Sequence, residues 1–279
     1  MRRVIYSLYI DIPNSKLVSH RESKKLFADN YPWLLERQKQ YAKTIGVDYK
    51  HFRASKTFNR YCEWFNVNYP DVSFYNIVNF YKIHLLYELS KDYDEVLYLD
   101  MDVIPTTHES FFDVWDLSKG IAIKTGYDNQ ADNPNFSKAI DLNHSVRSPF
   151  AKYWNTRCML SEAEVSKQTV VFNTGILGAC SKHLHQLEYF KNFEETLNTM
   201  TEMMVDEFYP ENIRKLFGYD NETIWGYKTL MLDVPYQELD ADWHFFMDKW
   251  SYVTDTSKLI HCISKNFLYV REWCEKNNI

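Results

Sequence analysis

The stretch Asp94-Glu-Val-Leu-Tyr-Leu-Asp-Met-Asp-Val-Ile-Pro105 constrains this chain more than any other. Val96 to Leu99 is a short apolar run of strand formers behind the polar cluster Lys91-Asp92-Tyr93-Asp94, the pattern of a strand buried on both faces. Asp100 and Asp102 stand where that strand runs out, and Pro105 ends regular pairing soon after. Residues i and i+2 of an extended chain point the same way, so both carboxylates address one point in space. Like charges that close are costly without a neutralising partner, and a divalent cation is the usual one. Ligands of open α/β sheets sit outside the carboxyl ends of the strands, which is where this pair falls. A bare Asp-X-Asp is more often a pair of solvated loop acids; here the buried strand and the helical segment before it favour the metal site.

Around that centre the chain alternates strands and helices. Val4 to Ile10 reads as the opening strand, followed by the loop Asp11-Ile-Pro-Asn-Ser15. A helix follows, with Asn30 as cap, Pro32 in its first turn and Gly46 just past its end, and then a strand over Val47 to Phe52. Residues 53–72 show no assignable element. Ser73 to Leu89 has Ile77, Phe80, Tyr81, His84, Leu85 and Glu88 at helical spacing and leads into the Val96 strand. His108 to Trp115 predicts a brief helix, Gly120 to Lys124 a strand, and 125–150 a long loop of the kind that is either functional or disordered. Val170 to Ala179 is a strand interrupted by Asn-Thr-Gly, where glycine marks a bulge or a close approach. Helices are expected around 181–206 and 220–231, then a strand Leu259 to Ile263 carrying His261, then a polar tail. Strand–helix–strand order with short connections predicts an α/β fold, a mainly parallel sheet with helices on both faces.

Composition excludes more than it selects. A length of 279 residues suffices for one sizeable core, and a net charge of −6 without a Lys/Arg cluster argues against a nucleic-acid partner. The 21 Tyr and 8 Trp suit sugar rings or nucleobases, though aromatics also fill cores. The 5 cysteines are scattered without a Cys-x-x-Cys, so reduced thiols are the simplest account. No apolar run reaches the length of a transmembrane span or a signal peptide, and the expectation is a cytoplasmic protein.

The run Phe80-Tyr-Lys-Ile-His-Leu-Leu-Tyr-Glu-Leu-Ser-Lys-Asp-Tyr-Asp-Glu-Val-Leu-Tyr-Leu-Asp-Met-Asp-Val-Ile-Pro105 resembles the metal-binding core of GT-A-fold glycosyltransferases, most closely family 8. Phe172-Asn-Thr-Gly175, Asp220-Asn-Glu222 and His261 follow in that family's order. The resemblance implies a Rossmann-like GT-A domain spanning 1–279, with a nucleotide-binding part over about 1–125 and an acceptor-side part over about 126–279. It implies transfer of a hexosyl or pentosyl group from a UDP-sugar to a carbohydrate or glycoconjugate acceptor. It also implies Mn²⁺, with Mg²⁺ the alternative, held by Asp100, Asp102 and His261. An imidazole ligand tilts the preference toward Mn²⁺. Lys82 matches a position that meets the donor's phosphate or sugar and Lys265 one that meets the diphosphate, although Ser264-Lys265 departs from the family's spacing after the histidine. Asn173 and Gly175 would line the sugar and acceptor pocket, Met101 would join the donor-binding set, and Tyr9 and Asp11 would take base and ribose. Asp220 and Glu222 would face sugar and acceptor, with the anomeric configuration retained; Glu222 as an inverting base, or Asp220 or Asn221 as a plain helix cap, are the competing readings. A sugar nucleotidyltransferase would carry a glycine-rich loop where Asp11-Ile-Pro-Asn-Ser15 stands. A non-catalytic nucleotide- or glycan-binding relative is the remaining alternative.

Overall fold

A computed structural model of the chain describes residues 1–13, 21–125 and 148–279. The expected 125–150 loop lies almost wholly outside these residues. The chain divides into two compact units: Met1–Lys124 with Gly175–Ser181 and Gln237–Ile279, and Thr125–Thr174 with Lys182–Tyr236.

Strands β1 (Arg3–Leu8), β2 (Asp48–Phe52), β3 (Glu95–Leu99), β5 (Ile121–Thr125), β6 (Phe172–Cys180) and β7 (Tyr236–Glu238) form one sheet in the order β2-β1-β3-β6-β5-β7. β1 pairs in parallel with β2 and β3, and β6 runs antiparallel to β3. A second, small sheet joins β4 (Val103–Pro105), β9 (Leu259–His261) and β8 (Phe245–Phe246) in the order β4-β9-β8. This is the α/β architecture, a mainly parallel sheet flanked by helices, that the sequence predicts. The five residues of β3 are buried throughout, and each fully buried Val or Leu there contributes about 1.5–3 kcal/mol.

Helix α1 (Arg21–Thr44) starts well before the expected cap. Asn30 lies inside it and donates to the Leu26 carbonyl at 2.9 Å, and Pro32 is internal. Leu26, Phe27, Tyr31 and Leu34 keep the helical apolar spacing through the proline and pack into a common cluster, which offsets the lost backbone bond. Its far end is as expected: Gly46 has φ +71°, and Gly46 N–H and Val47 N–H donate to the carbonyls of Lys43 and Ala42, a Schellman turn.

Residues 53–72 are not irregular. They contain α2 (Lys56–Asn68), capped by Ser55 and burying Phe58, Cys62 and Phe65 at helical spacing. Then come α3 (Phe74–Leu89), over nearly the expected span and capped by Ser73, and the short α4 (Phe111–Val114). The second unit holds α5 (Pro149–Glu162), most of the stretch around α6 (Ser181–Leu187), α7 (Phe193–Val205), α8 (Glu211–Arg214) and α9 (Asn221–Met231). The expected polar tail is instead α10 (Phe267–Lys276), which buries Phe267, Val270 and Cys274. A glycine of β6 other than that of Asn-Thr-Gly makes a close approach: a Cβ on Gly178 would lie 2.5 Å from a Phe111 ring carbon.

Candidate functional site

Asp100 leaves β3 into a tight turn, with Val103 N–H donating to the Asp100 carbonyl at 2.9 Å. Asp100 N–H donates to the Gly175 carbonyl in β6 at 2.8 Å, which fixes the first carboxylate against the neighbouring strand. Val103 then enters β4, whose antiparallel partner β9 places His261 opposite Val103. Two sheets thus bring Asp100, Asp102 and His261 together from positions 159 residues or more apart in part of their contacts, and one ligand atom from each lies within 4.8 Å of the others.

Each carboxylate has a lysine. Lys82 of α3, almost fully buried, reaches Asp100 Oδ1 at 3.4 Å, and Tyr98 donates its hydroxyl to the same oxygen. Burial, and then the Asp100 carboxylate, push the Tyr98 phenol well up, so it stays protonated and a donor. Lys265 forms an ion pair with Asp102 Oδ2, and its ammonium lies 5.0 Å above the Phe27 ring. Burial alone would raise the Asp102 pKa, but Lys265 and then His261 overturn that and hold it far below the usual carboxylate range. Burial would likewise lower Lys265, and Asp102 reverses the sign.

His261 Nε2 is 3.6 Å from Asp102 Oδ2, and its Nδ1 is 3.0 Å from His244 Nε2. Burial, and then His261, hold His244 neutral by pushing its pKa well down. For Nε2 to offer a lone pair to a cation, the His261 proton must sit on Nδ1 and be donated to His244 Nε2. His244 can accept it, its own proton moving to an Nδ1 that has no other partner among the described residues. The donor set of two carboxylates and one oriented imidazole therefore fits a divalent cation.

The other expected residues fall as follows. Met101 is buried in the turn between the two aspartates. Tyr9 packs on Tyr31 with ring centres 4.7 Å apart, and Asp11 pairs with Lys24 at 2.9 Å while staying mostly exposed. In the second unit, Asn173 is half-buried on β6. Asp220 caps α9, its Oδ1 accepting from the N–H groups of Glu222 and Thr223 at 2.9 and 3.0 Å. Burial raises its pKa, with Lys152 opposing and Glu222 adding to the shift. Glu222 accepts from Thr174 N–H at 2.7 Å and Thr174 Oγ1 at 3.1 Å and is ion-paired with Lys152.

Four participants were not foreseen from sequence. Tyr98 could have been, because it precedes Asp100 and Asp102 at the same two-residue period. Gln38, fully buried on α1, donates to the Asp100 and Val103 carbonyls. Neither Gln38, His244 nor Lys152 stands in a local pattern that would announce it.

The fold and this acidic strand end define a class, the α/β proteins with a carboxylate pair at the end of a central strand. Residues 3–266 match the family model described as glycosyl transferase family 8, and the chain belongs to that family. Among solved structures the chain is similar to a glycosyltransferase involved in glycosylation of the major capsid of PBCV-1, at 14% identity over 99% of this chain and 100% of that one, with a TM-score of 0.44. It is also similar to the galactosyltransferase LgtC bound to donor and acceptor sugar analogues, at 14% identity over 87% and 75%, with a TM-score of 0.45. A third is mouse xyloside xylosyltransferase 1, at 8% identity over 94% and 98%, with a TM-score of 0.47. No curated protein matches the chain. Among the described residues no helix is long and apolar enough to cross a membrane.

Proposed function

We propose that this family-8 glycosyltransferase moves a sugar from a UDP-linked donor to a carbohydrate or glycoconjugate acceptor. In this reading a divalent cation, Mn²⁺ by preference, is held at Asp100, Asp102 and His261. The observation that carries the proposal is the convergence of those three ligand atoms, within 4.8 Å of one another, at the end of a buried strand. When bound, the cation supplies Lewis-acid neutralisation of charge building on the departing diphosphate.

The chain's own residues do the rest. Gln38 and the Gly175 carbonyl hold the turn that aims the aspartates, and His244 orients His261. Lys82 and Lys265 offer ammonium groups to phosphate oxygens. Tyr9 and Asp11 take base and ribose, and Met101, Asn173 and Gly175 line the sugar. Residues 1–125 or so are in this reading the nucleotide-binding part, and about 126–279 the acceptor-side part. Asp220 and Glu222 face sugar and acceptor with retention of configuration. The engagement of Glu222 by Lys152 and Thr174 supports retention over inversion, since an inverting base must be open to the acceptor's proton.

The test is UDP release from a panel of UDP-sugars over hours, with Mn²⁺ and with a chelator. The expected result is Mn²⁺-dependent hydrolysis with one donor, lost in Asp102→Asn and in His261→Ala. Binding of UDP without turnover of any nucleotide sugar, with water or glycan acceptors, would point instead to a non-catalytic relative.

A further inference from the structure

Resting on the reading above that places the nucleotide's base at Tyr9, we infer that His51 is a positioning residue that sets base specificity. It takes the hydroxyl proton of Tyr31 at the head of a one-way hydrogen-bond chain anchored on Gln38. The Tyr31 oxygen is thereby left an acceptor only toward the base.

The sense of the chain follows from counting hydrogens. The side-chain nitrogen of the fully buried Gln38 lies 2.9 Å from the carbonyls of both Asp100 and Val103. Two carbonyls demand the NH₂ group there, so Oε1 faces the Tyr49 hydroxyl, which must donate to it at 3.0 Å. Tyr49 has then spent its one hydrogen, and the buried Ser7 hydroxyl donates to it at 2.6 Å. Ser7 has none left for His51 Nδ1 at 2.9 Å, so Nδ1 carries the imidazole proton. A neutral imidazole has only that one, which makes Nε2 an acceptor, filled by the Tyr31 hydroxyl at 2.8 Å. Burial, and then the cations Arg53 and Lys39, push the His51 pKa down to about 4, so the ring is neutral near pH 7 and the chain does not reverse.

The head of the chain lies where a nucleotide is expected. Tyr9 N–H donates to the Phe52 carbonyl at 3.0 Å, which holds the carboxyl ends of β1 and β2 side by side, and ligands of open α/β sheets bind at such ends. The Tyr31 ring packs on Tyr9 with centres 4.7 Å apart, the Arg53 guanidinium lies 5.7 Å over the same ring, and the Tyr31 hydroxyl is the polar tip of the aromatic pair. Uracil has a single donor on its pairing edge, N3–H, between two carbonyls. A group that can only accept meets that edge at N3–H alone. Cytosine has a lone pair at N3, which would face the Tyr31 oxygen lone pair to lone pair. An unconstrained tyrosine hydroxyl would rotate and donate to cytosine equally well; His51 removes that freedom, and a mismatched polar contact rejects the wrong base without any difference in shape.

The test is calorimetric titration of UDP and of CDP, each with Mn²⁺, into wild type, His51→Leu, His51→Gln and Tyr31→Phe. Cation and diphosphate are common to both ligands, so the ratio of the two dissociation constants reads the base alone and is not moved by general damage to the fold. Wild type is expected to bind UDP about tenfold or more tightly than CDP. His51→Leu releases the Tyr31 hydroxyl, and the ratio should fall by about tenfold, mainly through tighter CDP. His51→Gln offers an acceptor oxygen where Nε2 stood and should restore most of the preference. Tyr31→Phe should bring the ratio near one through weaker UDP, and it supplies the readout if the His51 variants do not fold. A wild type that does not prefer UDP, a preference unchanged in His51→Leu or in Tyr31→Phe, or a His51→Gln variant no more selective than His51→Leu would overturn the inference with the nucleotide site still standing. Binding of neither nucleotide to wild type would overturn the nucleotide reading and the inference with it.

Discussion

The buried side-chain amide of Gln38 donates to the main-chain carbonyl of Asp100 at 2.9 Å. The same nitrogen serves the Val103 carbonyl at 2.9 Å, so one α1 residue clamps both ends of the turn that presents the acidic pair. The clamp is itself held: Tyr49 donates to Gln38 Oε1 at 3.0 Å, and Ser7 joins Tyr49 to His51. Gln38→Leu keeps the volume and removes the donor. Leaving the two carbonyls short of a buried partner is expected to cost about 1–3 kcal/mol in urea denaturation. Mn²⁺ affinity in the presence of UDP should fall with the fold retained. Unchanged affinity would mean that the turn is rigid without Gln38.

Lys152 and Glu222 form the corresponding buried pair in the second unit, with side chains only 15% and 10% exposed. Lys152→Met strands a largely buried carboxylate, and the expected loss is about 3–5 kcal/mol, reduced to the extent that Thr174 still satisfies Glu222. The double variant Lys152→Met/Glu222→Gln should recover part of it, because no unpaired charge remains. A double variant that is no more stable than Lys152→Met alone would contradict this account of the pair.

The sequence carried the strands and the acidic turn because both are local: five consecutive buried residues and two aspartates at a two-residue period need no partner to be read. It carried α3 and the end of α1 for the same reason, through the spacing of Ile77, Phe80, Tyr81 and His84 and through Gly46. What it did not carry is settled by distant contacts. Pro32 looks like a helix start until the apolar residues on both sides of it are known to share one cluster. The cap Ser55 and the spacing of Phe58, Cys62 and Phe65 were present in the sequence, but the many aromatics of 53–72 hid the period. Gln38, His244 and Lys152 act across long sequence separations, and only pairing places them. Asp220 is a helix cap as well as a candidate site residue, and a capping pattern cannot distinguish the two.

Acid sensitivity should have an identifiable contribution from His51. Burial first, and then Arg53 and Lys39, lower its pKa from 6.5 to about 4. Between those values the unfolded chain binds the proton and the native protein does not, so stability is lost as pH falls from 6.5 toward 4. Wild type is expected to lose melting temperature more steeply than His51→Gln over that window, with the two curves running parallel above pH 7. Parallel curves throughout would mean that His51 is no less basic in the native state.

Gly178 is expected to tolerate no side chain. Its missing Cβ would lie 2.5 Å from Phe111 and 3.2 Å from Leu117, both fully buried. Gly178→Ala should cost about 1–3 kcal/mol by overpacking. Combined with Phe111→Leu, the loss should be less than the sum of the two single changes, since one relieves the other. Strict additivity would contradict the close approach.

The most direct test of the account is thermal unfolding with UDP, with and without Mn²⁺, for wild type and Asp102→Asn. At about 100 times the dissociation constant a ligand stabilises by about 2.7 kcal/mol, which for a chain of this size is a rise of roughly 5–10 °C. The account predicts a rise that needs both UDP and Mn²⁺ and is absent in Asp102→Asn. No shift with any nucleotide, or the same shift in Asp102→Asn, would contradict it.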